Sequence, residues 1–315
     1  VSAAISVSGV RFAYDDMPAL RGVSFAAAPG SVTALVGPNG AGKTTLMRCI
    51  AGLDPPEAGT ITVAGLDVVA APREARMRMG FLQDFFGLYD RLSVRRTLDY
   101  AARARLVPDG ERERRITEVA AALGLTPLLD RGTAELSRGQ RQRVAIGAAI
   151  VHGPDVLILD EPASGLDPEA RVELAALIRT LAAGGTTLLV SSHILAELED
   201  YSTDVLMLEG GQVIGAGPVR PAGRTITLTL AGEEAASVAS RLAGEAAVSA
   251  ITVEGGGIGF TFAGDDAAQA ALLAALVREG VPVLAFAERH ASMQDLYLAR
   301  LRQARDGGPR DGGAA

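Results

Sequence analysis

The residues best equipped for chemistry lie in the stretch 31–50, SVTALVGPNGAGKTTLMRCI. Within it, Gly37, Gly42, Lys43 and Thr44 stand at the spacing of a phosphate-binding loop, GPNGAGKT. Glycines let a backbone approach a phosphate closely, and the N–H groups at a helix start surround it with positive charge. Lys43 is expected to reach the β- and γ-phosphates of a nucleotide, and the Thr44 hydroxyl to ligate Mg²⁺. Of the 30 basic residues, Lys43 is the only lysine. A chain that otherwise uses the planar guanidinium thus has a compact ammonium at the position facing phosphate.

Further chemistry-bearing residues follow at intervals. VLILD at 156–160 is an apolar run ending in an acid, which predicts a buried parallel strand with Asp160 and Glu161 at its carboxyl end. Functional residues gather at that end of an open α/β sheet. Asp160 suits a Mg²⁺ shell, directly or through water, and Glu161 is placed to polarise a water molecule. TTLLV predicts another buried strand, and His193 follows it in SSH. A loop histidine is usually a surface residue, but beside this sheet it is also a candidate γ-phosphate sensor. Tyr14 ends an alternating strand, ISVSGVRFAY, where it could stack on an adenine face or simply finish the strand.

The elements that position these residues read in order. Two strands, 5–14 and ALRGVSFAAAPG, lead to the strand–loop–helix at 31–50. GTITVAGLDV predicts a strand pair, and RMRMGFLQD a strand ending at Gln83. From Ser93, a candidate N-cap, to about Gly124 the pattern turns helical, with SVRRTLDYAARARL and ERERRITEVAAALGL. Ser137 in AELSRGQ sits where another N-cap belongs, ahead of a helix running to about His152. GAGPVRPAG at 215–223 breaks the composition like a linker. Beyond it, TITLTL, EEAASVASRLAGE, VSAITVEG, GIGFTFAG, DDAAQAALLAALVREG and VPVLAFAE give the order βαββαβ, the ferredoxin-like signature. A last helix is expected over 292–301, then a tail whose composition predicts disorder.

Composition narrows the classes. The chain has 315 residues, 48% hydrophobic and 21% charged, without tryptophan. No uninterrupted apolar run approaches the roughly 20 residues that span a bilayer. The N-terminus shows neither a basic leader nor a cleavage site. A single cysteine, Cys49, fits a reducing compartment. A net charge of −7 argues against a general nucleic-acid binder.

Together these residues resemble the ATP-binding cassette (ABC) family over about residues 3–217. GPNGAGKT (Gly37, Pro38, Asn39, Gly40, Ala41, Gly42, Lys43, Thr44) resembles Walker A and VLILDE Walker B. LSRGQ at 136–140 resembles the LSGGQ signature, Gln83 the Q-loop, and SGLDP at 164–168 the D-loop. His193 matches the switch histidine and Tyr14 the adenine-stacking aromatic. The resemblance implies an α/β fold: a P-loop NTPase cassette with a RecA-like core, an antiparallel β subdomain and a helical insertion over about 91–152. This cassette would span 1–217, followed by a linker at 218–224, an accessory or dimerisation domain at 225–303 and a tail at 304–315.

The same resemblance implies ATP and Mg²⁺ as cofactors and hydrolysis as the reaction. Glu161 would be the base, with His193, Gln83 and Lys43 assisting. Thr44, Gln83 and Asp160 would attend the metal, while Tyr14, residues 37–44 and Thr45 would hold the nucleotide. Two cassettes would face head to tail, so that Ser137, Gly139, Gln140 and Asp167 close over the partner's ATP. A separate membrane permease would dock on the region Gln83–Tyr100, where Leu88, Tyr89 and Leu92 stand among charges. The chain would then sit in the cytoplasm, on the inner face of the membrane. The phrase SMQDLYLAR is similar to the ends of type 2 exporter cassettes, which favours export. The third signature residue departs from the usual glycine: Arg138 is expected to point to solvent rather than to add charge near the nucleotide. The C-terminal module reads as a dimer brace or, less simply, a ligand sensor, and a soluble regulatory ABC ATPase is the alternative to a transporter subunit.

Overall fold

The computed structural model describes residues 3–84, 87–192, 194–219, 224–232, 235–254 and 257–288, together with Met293, Gln294, Tyr297, Arg300 and Leu301. The chain divides into two compact units, Val1–Val219 with Tyr297–Ala315, and Arg220–Leu296.

In the first unit, strand alternation and glycine turns build a four-stranded antiparallel sheet. It comprises β1 (Ile5–Tyr14), β2 (Met17–Ala27), β4 (Ala58–Val63) and β5 (Leu66–Asp67), in the order β2-β1-β4-β5. The continuous apolar runs form a second sheet. Its strands are β3 (Val32–Val36), β6 (Met79–Leu82), β7 (Val156–Leu159), β8 (Thr187–Ser191), β9 (Asp204–Glu209) and β10 (Gln212–Pro218), ordered β10-β9-β3-β8-β7-β6. Every pair except β10–β9 is parallel. Strands β3, β7 and β8 are buried along their whole length, the reason they lack polar alternation. Each of their valine, leucine or isoleucine side chains removed from water stabilises the fold by about 1.5–3 kcal/mol.

Helix α1 (Lys43–Ile50) buries Leu46, Met47, Cys49 and Ile50, which join the two sheets in one core. Burial pushes the Cys49 thiol up to about 12, so it packs as a small apolar group. A short α2 (Pro72–Met77) precedes β6. The strand expected from Arg76 to Gln83 is therefore only Met79–Leu82, because the proline at the first helical turn starts a helix that takes 72–77.

The helical stretch is α3 (Val94–Ala104), α4 (Asp109–Ala122) and α5 (Arg138–Ile150). Ser93 caps α3 by accepting from the Arg96 amide. After β7 come α6 (Pro168–Ala183) and, beyond β8, α7 (Leu195–Glu199). The β9–β10 hairpin, DVLMLEGGQVIGAGP, was not read from sequence as strands. It carries the first unit through Pro218, and the Val219 amide bonds the Thr203 carbonyl, so 215–218 are strand rather than linker.

The second unit contains β11 (Arg224–Leu230), α8 (Ala235–Leu242), β12 (Val248–Glu254), β13 (Gly257–Phe262), α9 (Asp266–Arg278) and β14 (Val283–Glu288). Its sheet order is β12-β13-β11-β14, with every neighbouring pair antiparallel. That order is a ferredoxin-like split βαβ arrangement. Ile226, Leu228, Leu242, Ile258, Phe260 and Leu276 fill its core. The tail at 304–315 and most of the helix expected over 292–301 lie outside the described residues.

Candidate nucleotide site

Because β3, β8, β7 and β6 are adjacent and parallel, whatever follows their carboxyl ends lies along one sheet edge. Residues 37–44 follow β3, Ser191 ends β8, Asp160 and Glu161 follow β7, and Gln83 follows β6. Sheet topology thus brings together groups that are up to 154 positions apart, from Gly37 to Ser191.

The loop after β3 needs its glycines for two different reasons. Gly42, the N-cap of α1, has φ 100°, a left-handed conformation that suits glycine, and a Cβ there would come within 2.7 Å of the Ala19 carbonyl. At Gly37 a Cβ would lie 2.2 Å from the Leu208 carbonyl oxygen. No side chain caps α1. Lys43 is buried, and its Nζ donates to the carbonyls of Gly37 (2.8 Å) and Pro38 (3.2 Å), which folds the ammonium against the loop. Pro38, Asn39, Gly40 and Thr44 are exposed, while Ala41 and Thr45 are buried. Thr45 Oγ1 reaches the Tyr14 hydroxyl at 3.4 Å, and Tyr14, half exposed, packs edge-on against Phe12.

The acidic pair is held from below. Asp160 is buried, and its Oδ1 accepts a 2.6 Å hydrogen bond from Ser191 Oγ. The same hydroxyl accepts from the Glu161 amide at 2.8 Å. Glu161 itself has φ 48°, unusual for a residue with a Cβ. Its carbonyl accepts from the Ser164 amide at 3.0 Å, so both sides of this backbone are pinned. Ser191 escaped the sequence reading. A serine ending a buried strand carries no spacing signal, and only its place beside β7 gives it a task.

The signature segment is built around α5. Ser137 accepts from the Gln140 amide, and Gln140 Oε1 accepts from the Ser137 amide, a complete capping box. Gly139 is tight against Ala170, where a Cβ would stand at 3.2 Å. Asp167 caps α6 by accepting from the Ala170 amide at 2.8 Å. Arg138 corrects the expectation of a solvent-pointing side chain. Although exposed, it folds over the D-loop, and Nε and Nη2 donate to the Ser164 carbonyl at 3.1 and 3.0 Å. Its neighbour across the gap is Gly165, which leaves room for the guanidinium plane. His193 lies outside the described residues. Gln83 is exposed and stands at the mouth of a groove of about 350 Å³, lined also by Leu88, Tyr89, Leu92 and Tyr100.

The ABC transporter family profile matches residues 20–164. NatA, an ABC transporter ATP-binding protein of Bacillus subtilis, is 38% identical over 200 residues, covering 63% of this chain and 81% of that protein. The chain belongs to the ABC transporter family. The Nod factor export ATP-binding protein I of Rhizobium meliloti is 38% identical over 214 residues, 68% of this chain and 64% of its own length. A solved ATP-binding subunit of an ABC transporter superposes with a TM-score of 0.63 at 32% identity, over 68% of this chain and 90% of that one. As a member, the chain is an ATP-binding cassette that hydrolyses ATP, and cassettes of this family work with membrane permease subunits. Among the described residues no helix is long and apolar enough to cross a membrane.

Proposed function

We propose that this cassette pairs head to tail with a second copy of itself around two ATP molecules and energises a separate permease. The observation that carries this reading is the split between two half-sites. Residues 37–44, Asp160, Glu161 and Gln83 share one sheet edge, whereas the contacts of Ser137–Gln140 run to 164–170. A complete site then needs the signature of another cassette.

In this reading Lys43 and the α1 amides hold the β- and γ-phosphates, and Tyr14 faces the adenine. Glu161 takes the proton of the attacking water, and His193 and Gln83 adjoin the γ-phosphate. The donor set fits Mg²⁺: one buried carboxylate at Asp160, the exposed Thr44 hydroxyl and the Gln83 amide, without a cluster of three or more acidic, His or Cys groups among the described residues. That is how Mg²⁺ is usually held, by few protein oxygens and by the phosphates, whose charge it offsets. Ser137, Gly139, Gln140 and Asp167 would close over the partner's nucleotide, the box leaving the Gly139 amide for the γ-phosphate.

The permease would dock in the groove beside Gln83. Tyr89 and Tyr100 are both exposed and meet edge to face at 6.0 Å, while Leu88 and Leu92 are half-buried, giving a cleft suited to a short amphipathic helix. Charges introduced at Leu88 and Tyr89 should abolish transport in reconstituted vesicles while ATPase activity in detergent stays within about twofold. Equal loss of both would return these residues to a folding role. Relatives named for export and for import match at the same 38% identity. We favour export, on the resemblance of the C-terminal phrase, and the direction of substrate movement in those vesicles decides it. The reading places the chain in the cytoplasm against the membrane, beside its permease, and takes the second unit as a dimer brace.

A further inference from the structure

The bonds around the D-loop form one line through a single residue. The Arg138 guanidinium donates twice to the Ser164 carbonyl, and the Ser164 amide donates to the Glu161 carbonyl. Glu161 is the residue with a left-handed backbone, and its amide is in turn fixed by Ser191 Oγ. Beyond Ser164 the loop is held again, since the Leu166 carbonyl accepts from Arg171 Nε at 3.1 Å and Asp167 caps α6. Arg171 also pairs at 3.0 Å with Glu197 on α7, the helix that follows residue 193. The start of the signature helix is thus tied through backbone groups to the backbone of Glu161, the residue read as taking the proton of the attacking water.

We propose that Arg138 is a positioning residue that couples the two ATP sites. The inference rests on the head-to-tail reading, in which the signature of one chain serves one site and Glu161 of the same chain serves the other. Capture of a γ-phosphate at Gly139 pulls on the helix start that carries Arg138. Through Ser164, that displacement changes the setting of Glu161 at the opposite site. The usual glycine in this position has no side chain to make the link, so this chain transmits by a rigid planar fork what a glycine signature leaves to the backbone. A guanidinium also suits the task geometrically, because Nε and Nη2 lie in one rigid plane and reach the Ser164 carbonyl together.

Three measurements on the full chain test this, with Arg138→Gly, Arg138→Ala and Arg138→Lys. Amide hydrogen exchange at Ser164 should quicken by about tenfold in the glycine and alanine variants. The Hill coefficient of ATP hydrolysis should fall to near 1 with kcat down by about threefold or more, while ATP affinity of the nucleotide-binding half stays within about twofold. Arg138→Lys should restore part of both effects. Gly165→Ala, whose Cβ would stand 2.7 Å from Arg138 Nε, should mimic the fall of the Hill coefficient, with a stability cost of its own because the backbone there has φ 67°. Unchanged Ser164 exchange together with an unchanged Hill coefficient in Arg138→Gly would overturn the proposal. So would weakened ATP-driven dimerisation with unchanged exchange, which would mean that Arg138 meets nucleotide instead. Absence of an ATP-driven dimer in Glu161→Gln would instead overturn the head-to-tail reading and with it the coupling of two sites.

Discussion

Two helix N-termini bracket the chemistry of this cassette, and they are finished in opposite ways. Helix α1 begins at a left-handed glycine with no side-chain cap, and Lys43 is folded back on the carbonyls of its own loop. Helix α5 begins with a reciprocal capping box between Ser137 and Gln140. An uncapped start forgoes about 1 kcal/mol of helix stability but leaves the first-turn amides turned outward. The capped start satisfies a first-turn amide within its own helix, and its hydroxyl still has an O–H to donate, since capping uses only an acceptor lone pair. Under the proposed head-to-tail pairing, the difference teaches that the two halves of an ATP site need not be built alike: one end would be committed to phosphate, and the other would be a finished helix that meets phosphate only on association.

The largest test of that division lies on the committed side. Glu161→Gln keeps the shape of the strand end but removes the carboxylate proposed as the base, so phosphate release should fall by about 10²–10⁴-fold. ATP binding should persist, because α1 and Lys43 are untouched. Sedimentation with ATP should then show a trapped dimer. Turnover at the wild-type rate would remove Glu161 from the mechanism.

Lys43→Ala acts earlier in the same half-site. Removing a buried ammonium that faces phosphate should weaken ATP binding by about 10- to 100-fold, the usual range for a hydrogen bond to a charged group. Equilibrium titration with a fluorescent ATP analogue measures it. The fold should be little changed, because Lys43 serves only loop carbonyls otherwise. Unchanged affinity would mean that the uncapped amides suffice alone.

Much of this is legible in the sequence, and the exceptions share a cause. Residues 37–44, the 156–161 strand end and Ser137 announce themselves through spacing and periodicity, which are local. Even the second unit's βαββαβ order is legible, since short strand segments alternate with Ala-rich helices. Ser191 could not be found, because its role comes from lying beside β7 rather than from any neighbour in sequence. The bond of Arg138 is hidden for the same reason: its partner, Ser164, is 26 positions away in the loop before α6. The glycines and proline of 215–218 look like the start of a linker, although they belong to the edge strand of a hairpin.

The far end of α5 supplies a pH test. His152, just past the helix, is pushed down to about 4, chiefly by burial and then by Arg105, against the opposing bond of Nε2 with the Met79 carbonyl. A histidine lowered in the folded state is held neutral there. Its contribution is complete above the unfolded value near 6.5 and is lost as pH falls from there towards 4. Urea denaturation should show the wild type losing more stability than His152→Gln between about pH 7 and about pH 5, by on the order of 1–2 kcal/mol. Parallel curves for the two proteins would place that histidine in contact with water.

The smallest effect separates the two jobs given to Ser137. As an N-cap its replacement by alanine should cost about 1 kcal/mol, whereas glycine, also accepted at that position, should cost only a few tenths. As a phosphate donor across the dimer, both replacements remove the same O–H. Chemical denaturation and ATP-driven dimerisation on a Glu161→Gln background should therefore rank the variants differently. Alanine should lower both stability and dimer affinity; glycine should lower dimer affinity nearly as much with stability almost intact. Breaking the other half of the box with Gln140→Ala should resemble a stability change first. If dimer affinity instead follows stability across all three variants, Ser137 does nothing beyond capping. The capped helix would then meet phosphate through the Gly139 amide alone, and the two helix starts would differ less in function than in their caps.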